Sequence, residues 1–334
     1  MSTSIFARPL RWGILGTGTI AKAFARGLAQ DPACRLEAVG SRSAGSAAAF
    51  AGEFPCRAHG DYTSLCADPG VDVVYIASPH QAHREHALLA IAHGKHVLVE
   101  KPFALNRNEA AEIFAAAQAA NVFAMEAMWT RCLPAHRQVA AWLAAGVIGE
   151  VRMVRADFGF RAAWNPESRL LSPALAGGAL LDVGVYVVAF ALGVLGRAPQ
   201  RIQASAFLGK TGVDEQAAVL LGWDNGALAT LTCAVRTATR HDAVICGSEG
   251  RIEIADFWHA ASATLVRSGA EPEVHHLPFV GNGYVHEAQE VAECLGAGCL
   301  ESPRITQAQT LEILDVLDTC RRQIGLIYPG ETAL

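Results

Sequence analysis

The sequence predicts an α/β protein of two domains. The first is a doubly wound parallel sheet; the second is an α+β domain with an open, mostly antiparallel sheet. Three observations carry this. Residues 11–125 alternate short, continuous apolar runs with helical stretches, the pattern of parallel strands covered on both faces. After Glu126 the runs become strands separated by turn signals, among them Asp224-Asn225-Gly226. A chain of 334 residues also suits two domains better than one.

Taken in order, residues 11–15 form a strand and 20–30 a helix, with apolar residues at 20, 21, 24, 25 and 28. Strand 36–39 and helix 44–53 follow. Then come strand 72–77 (DVVYIA), helix 83–93 stopped by Gly94, strand 96–99 ending at Pro102, helix 106–120 and strand 122–125. This gives a first domain over 1–126. The second, 127–334, opens with a helix at 135–145 and a strand at 150–160, then an apolar helix at 177–195. Strand-like runs fill 200–277, with a hairpin joining 217–223 to 227–234 and a turn at 247–250. Helices 284–297 and 306–324 close the chain, and the last is expected to pack back on the first domain.

Composition narrows the function. Half the residues are hydrophobic (51%) and only 18% charged, so a sizeable core forms. A net charge of −5 provides no electrostatic footprint for nucleic acid or an anionic membrane. Nine cysteines, an odd number with no C-x-x-C pair, read as reduced thiols of a cytoplasmic protein and not as a metal cage. Residues 1–10 lack the apolar core of a signal peptide. The most apolar run, 183–195, is read as a buried helix too short to span a bilayer.

Gly16-Thr17-Gly18-Thr19-Ile20-Ala21 reads G-x-G-x-x-A between a strand and a helix, the context a dinucleotide (Rossmann) site needs. Gly16 permits the tight turn, and Gly18 lets the backbone approach a pyrophosphate. Ala21 lets the helix pack close to the sheet, and the helix N-terminus favours the anion. The next strand ends Val39-Gly40-Ser41-Arg42-Ser43, with no carboxylate for a ribose diol. Arg42 suits a 2′-phosphate, with Ser41 and Ser43 as donors, so NADP is expected, with NAD as the alternative.

Lys101 lies at the C-terminal end of a parallel strand, where such sheets bind ligands, and Pro102 makes it extended. Asp182 and Tyr186 are four apart on an otherwise apolar helix and so share a face. Trp129 and Arg131 follow the last strand of the first domain, and Phe158 and Phe160 lie on one strand face. These four are candidates for an aromatic, polar-edged wall against a substrate, core packing being the alternative. His80, His83 and His86 have no carboxylate partner beyond Glu85, and no metal is expected.

With Glu100-Lys101-Pro102 after the fifth strand, the sequence resembles the glucose–fructose oxidoreductase, inositol dehydrogenase and rhizopine-catabolism (Gfo/Idh/MocA) family over nearly the whole chain. Residues 125–131 (MEAMWTR), 177–186 (GGALLDVGVY), 211–214 (TGVD) and 301–303 (ESP) are similar to its dihydrodiol dehydrogenase branch, whose members also oxidise D-xylose with NADP. The resemblance implies an NADP-dependent oxidoreductase acting on a sugar or a trans-dihydrodiol, with Lys101 at the substrate oxygen. It implies Ser78 and His80 beside the nicotinamide ribose, and Glu100 and Lys101 on the cofactor side. Many family members carry His where this chain has Tyr186. That branch carries Tyr there as the acid/base, with Asp182 orienting. Whether Tyr186 or Lys101 exchanges the proton stays open, as do a reductase of another carbonyl, such as 1,5-anhydrofructose, and a non-catalytic sensor. The open sheet needs cover, and a homodimer through it is expected.

Overall fold

The computed structural model describes residues 8–196 and 198–331. The first seven residues, part of the segment judged above for a signal peptide, lie outside them. Two compact units result. Of the described residues, the first holds those up to Ala104, then Asn108–Cys132 and Phe279–Ala308. The second holds Leu105–Arg107 and, of the described residues, those of Leu133–Pro278 and those from Gln309 to Glu331.

In the first unit six parallel strands order as β3-β2-β1-β4-β5-β6. They are β1 (Leu10–Leu15), β2 (Cys34–Gly40), β3 (Arg57–His59), β4 (Val73–Ile76), β5 (His96–Glu100) and β6 (Ala124–Ala127). Their helices are α1 (Thr19–Leu28), α2 (Ala44–Glu53), α3 (Tyr62–Ala67), α4 (His83–Ala92) and α5 (Arg107–Ala119). Order reverses between β1 and β4, and in such sheets ligands bind beyond the strand ends at that point. The core is an aromatic column: Phe24 stacks on Tyr75 with centroids 3.8 Å apart and meets Trp12 edge-on at 5.2 Å. β3 and α3 were not foreseen. β3 has three residues and an exposed Arg57 and Ala58, so it has no apolar run, and α3 has six residues, started by Asp61 accepting from Ser64 N–H at 2.7 Å.

The second unit is an eight-stranded sheet, order β14-β13-β12-β11-β7-β10-β9-β8. It comprises β7 (Val151–Gly159), β8 (Arg201–Leu208), β9 (Asp214–Gly222), β10 (Leu228–Ala234), β11 (Ala243–Gly247), β12 (Gly250–Ile254), β13 (Ser262–Arg267) and β14 (Glu273–His276). Only the β7–β10 pair is parallel. The expected β9–β10 hairpin turns at Asp224-Asn225-Gly226, with Gly226 at φ +86°. One face of the sheet is buried through Val219, Leu221, Leu231 and Cys233. Ser205, Ala218, Leu220, Thr230 and Thr232 alternate onto the other, which forms a concavity of about 1130 Å³. The remaining helices are α6 (Pro134–Ala144), α7 (Val185–Leu195), α8 (Val285–Gly296) and α9 (Gln307–Ile324).

The apolar helix expected over 177–195 is present from Ala179 to Leu195, but its opening turn is π-helical. Ala176 (φ +54°) and Gly178 (φ +125°) precede a π-helical turn, Leu180–Gly184, and α7 continues from it. A Cβ on Gly177 would approach the Leu170 carbonyl to 2.7 Å, so the chain must bend around that loop. The helical stretch Pro173–Leu195, 23 residues, is by length and composition enough to cross a membrane, which corrects the shorter estimate; 83% of its most apolar window is buried.

The division also differs from a break after 126. α8 joins the first unit because Gly27 admits it: a Cβ there would meet Tyr284 Cβ at 3.0 Å and Val285 N at 3.1 Å. Asn282 Nδ2 donates to the Ala23 carbonyl at 2.7 Å, and Gln289 Nε2 to Asp31 at 2.8 Å. From Gln309 on, α9 clusters with the second unit, which also takes in Leu105–Arg107, residues that lie within 1–126. Arg321, fully buried, donates to Asp318 (2.9 Å), Glu331 (2.7 Å) and the Leu105 carbonyl (3.1 Å). Replacing it by Met strands two carboxylates, at a cost of about 3–5 kcal/mol. Urea unfolding of Arg321→Met is therefore expected to show a lower midpoint, and an unchanged midpoint would mean that the network contributes nothing to stability.

Candidate active site

In the first unit the nucleotide cradle is built by β1 and α1. Gly16 has φ +112°, and a Cβ there would meet the Ala77 carbonyl oxygen at 2.8 Å, so only glycine turns between β1 and β4. Gly18 is the N-cap of α1, with no side-chain cap and no acidic residue in the first turn. A Cβ on Gly18 meets nothing within 4 Å, so the approach is open. Half-buried Thr17, exposed Thr19 and half-buried Ile20 continue the turn. The amides at the start of α1 lack intrahelical acceptors, which fits a pyrophosphate.

Beyond β2, Ser41 is buried and its hydroxyl accepts from Ser43 N–H at 3.3 Å; Ser43 then caps α2 by accepting from Ser46 N–H. Arg42 stands exposed beside them. The nearest carboxylate on β2, Glu37, is engaged by Arg35 and Arg57. The loop therefore fits a group carrying an extra phosphate.

At the ends of β4 and β5 a buried imidazole braces two loops. His83 is fully buried, with Nδ1 2.8 Å from the Pro102 carbonyl and Nε2 2.8 Å from the Ser78 carbonyl. Burial pushes its pKa down to about 4 against the pull of those two carbonyls. Ser78 Oγ meets His86 Nδ1 at 2.8 Å. His80 is half-buried, its ring centroid 5.8 Å from that of His83. Lys101 is half-buried, its bond to Pro102 is cis, and Glu100 accepts its amide at 3.1 Å. Glu100 itself is buried and takes the Tyr75 hydroxyl, so its carboxylate holds the strand end, where the resemblance implied a cofactor contact. Glu126, not singled out from sequence, accepts Phe103 N–H at 3.2 Å and steadies the same loop.

Trp129, expected in a substrate wall, is 2% exposed and stacks on Tyr284 at 4.7 Å. Arg131 is half-buried and donates to the Arg304 carbonyl at 3.3 Å. Sequence spacing could not show either, because their partners lie more than 150 residues on.

In the second unit Asp182 sits in the π-turn and Tyr186 at the start of α7, both buried. Asp182 pairs with Arg169 at 2.7 Å. Arg169 went unnoticed because it stands in a loop with no motif. The Tyr186 ring lies 5.4 Å from Phe158, which stacks on Trp258 at 5.1 Å and meets His241 at 4.9 Å. Phe158 thus joins an aromatic cluster whose members His241 and Trp258 were also missed. Phe160 falls one residue beyond the end of β7 and is half-buried. The structure thus groups the glycine motif, Ser41, Arg42, Ser78, His80 and Lys101 at one edge of the first sheet. It groups Phe158, Asp182 and Tyr186 in the second unit.

Two family models match: an oxidoreductase family with an NAD-binding Rossmann fold over residues 10–128, and the GFO/IDH/MocA C-terminal domain over 136–253. The chain belongs to the GFO/IDH/MocA oxidoreductase family. As a member it is an NAD(P)-dependent oxidoreductase. It is 39% identical to a trans-1,2-dihydrobenzene-1,2-diol dehydrogenase of Danio rerio, with 97% of this chain and 99% of that one covered. The Homo sapiens protein of that name is 34% identical, with 96% and 99% covered. Among solved structures, a 3-ketoreductase from Actinomadura kijaniata with NADP and TDP-benzene superposes with TM-score 0.84 at 29% identity, covering 95% of this chain and 98% of that one. It has also been solved with a lysine replaced by alanine and with a tyrosine replaced by phenylalanine. An aldose-aldose oxidoreductase from Caulobacter crescentus shares the fold at TM-score 0.86 and 24% identity, with 95% and 97% covered.

The depressed His83 pKa makes a stability prediction. The unfolded chain binds the proton near pH 6.5 and the folded chain only near 4. Stability is therefore fully present above 6.5 and falls as the pH drops toward 4, by about 3 kcal/mol at most. Thermal melts of His83→Gln should lack that part of the acid loss, and an identical acid loss in the variant would show that His83 does not titrate this way.

Proposed function

We propose that this oxidoreductase uses NADP to move a hydride between the nicotinamide and a sugar, such as D-xylose, or a trans-dihydrodiol. The observation that carries the reading is the segment 180–186, which places a carboxylate and a phenol in an otherwise apolar, buried stretch. Unneeded buried polar groups cost stability, so their presence there points to chemistry. Likeness to the dihydrodiol dehydrogenases over nearly the full chain supports the substrate class. The 3-ketoreductase likeness favours a second reading, reduction of a keto-sugar, which is the same chemistry run toward the alcohol.

The nicotinamide supplies hydride acceptance or donation. When an alcohol is oxidised, its carbon loses a hydride and its hydroxyl loses a proton. Tyr186 and Lys101 are the groups proposed to take that proton and to steady charge on the oxygen. Asp182, tied to Arg169, orients the segment or the substrate hydroxyls. The α1 N-terminus takes the pyrophosphate, and Arg42 with Ser41 and Ser43 the 2′-phosphate.

Reduced-nicotinamide absorbance, followed with a panel of aldoses, trans-diols and dicarbonyls, tests this. Lys101→Ala and Tyr186→Phe are each expected to lower kcat about 10²–10⁴-fold. Arg42→Ala should raise KM for NADP about tenfold or more and leave KM for NAD unchanged. Full activity in Tyr186→Phe would remove the phenol from the mechanism, and equal losses with both cofactors in Arg42→Ala would remove the 2′-phosphate contact.

The same proposal includes a cytoplasmic homodimer. Among the described residues no disulfide joins any of the nine cysteines, in keeping with a reducing compartment. The open sheet face carries exposed Met153, Leu220 and Leu228, apolar area that a second copy would cover. Sedimentation should give a dimer and Leu220→Arg a monomer; a monomeric parent would reject this interface.

A further inference from the structure

We propose that Asp214 is a positioning residue for the proton-exchange segment: its carboxylate holds the start of the turn that carries Asp182 and, one turn on, Tyr186. This rests on the catalytic reading of those two residues given above.

Asp214 is the first residue of β9 and is fully buried. Its Oδ2 accepts Leu180 N–H at 2.7 Å, across 34 residues of sequence. The first amides of a helical segment have no acceptor within it, and Ala179, just before this one, offers no side chain to cap it. The cap therefore comes from the sheet. The fit is reciprocal: a Cβ on Gly178 would collide with Asp214 Oδ1, so the carboxylate and the glycine at φ +125° go together.

The placement is costly. Oδ1 has no hydrogen-bond partner among the described residues. Burial raises the Asp214 pKa to about 7, against the lowering pull of the Leu180 and Ala179 amides and of Arg321. The titratable groups that feel it are Cys233 on β10, Cys320 on α9 and Tyr328 in the C-terminal segment, which donates to the Gly177 carbonyl at 2.7 Å. Arg321 on α9 is already committed to Asp318 and Glu331.

Two consequences oppose each other. A carboxylate accepts the Leu180 amide more strongly than a carboxylic acid and complements the positive helix end, so the turn is held best when Asp214 is ionised. Stability runs the other way. Because the folded pKa lies above the unfolded value of 3.8, the stabilising contribution is complete below that value and is lost as the pH rises through about 7.

Asp214→Asn separates these effects, since the amide oxygen still accepts from Leu180 but never ionises. At about pH 6 the parent and the variant should have similar kcat, and at about pH 8 the parent should exceed the variant about fivefold, with cofactor KM unchanged. The variant's Tm at the higher pH should equal or exceed the parent's. Parallel pH profiles, or kcat and Tm falling together at the higher pH, would reduce Asp214 to a structural cap and overturn the proposal. If the variant does not fold, hydrogen exchange at the Leu180 amide of the parent decides. Protection relative to the intrinsic rate should grow across that pH range, and pH-independent protection overturns the proposal. Full activity in Tyr186→Phe would sink the catalytic reading alone, leaving the Leu180 result to judge Asp214.

Discussion

The first unit depends on one close approach. Parallel pairing aligns Leu15 with Ile76, so the chain leaving β1 must pass under the Ala77 carbonyl, with room for glycine alone. That turn aims α1 so that its N-terminus opens at the sheet edge where β2, β4 and β5 also end. Arg42, Ser78 and Lys101 each follow one of those strand ends, so a single backbone constraint gathers residues that are far apart in sequence. Helix N-termini at such an edge attract phosphates through unpaired amides and the helix dipole, with no charged side chain required.

Around this edge the protein keeps buried carboxyls under two regimes. Glu100 and Glu126 are buried but spend their oxygens on Lys101, Tyr75 and Phe103, turning desolvation cost into rigid loops. Glu287, at the start of α8, is fully buried, and neither of its oxygens has a hydrogen-bond partner among the described residues. Burial, then the charge of Glu100, raises its pKa well above the usual value. Asp214 in the second unit lies between these regimes, hydrogen-bonded at one oxygen and bare at the other.

Much of the fold was legible because its signals are local. Continuous apolar strands, the G-x-G-x-x-A turn, the Asp224-Asn225-Gly226 hairpin and α2 appear where periodicity and turn chemistry placed them. β3 and α3 were not legible because an edge strand of three residues and a helix of six have no period to read. The helix expected over 177–195 formed, but its opening π-turn was not legible, because apolar composition cannot distinguish an α-turn from a π-turn. The decision lay with Leu170 and Asp214, which crowd Gly177 and Gly178 from outside the segment.

By itself, the sequence determined which chemistry is available. A phosphate-binding turn, a β2 end without a carboxylate, a strand-end lysine, and a carboxylate with a phenol in an apolar helix are all properties of residues near one another in the chain. Tertiary structure alone decided how those groups are held: His83 between two carbonyls, Asp182 on Arg169, Tyr186 beside Phe158, α8 joined to the first unit and α9 to the second. The reason is physical. Propensity and capping act over one or two turns of chain, whereas burial and hydrogen-bond satisfaction are settled by whichever atoms packing brings together, however far apart they are in sequence.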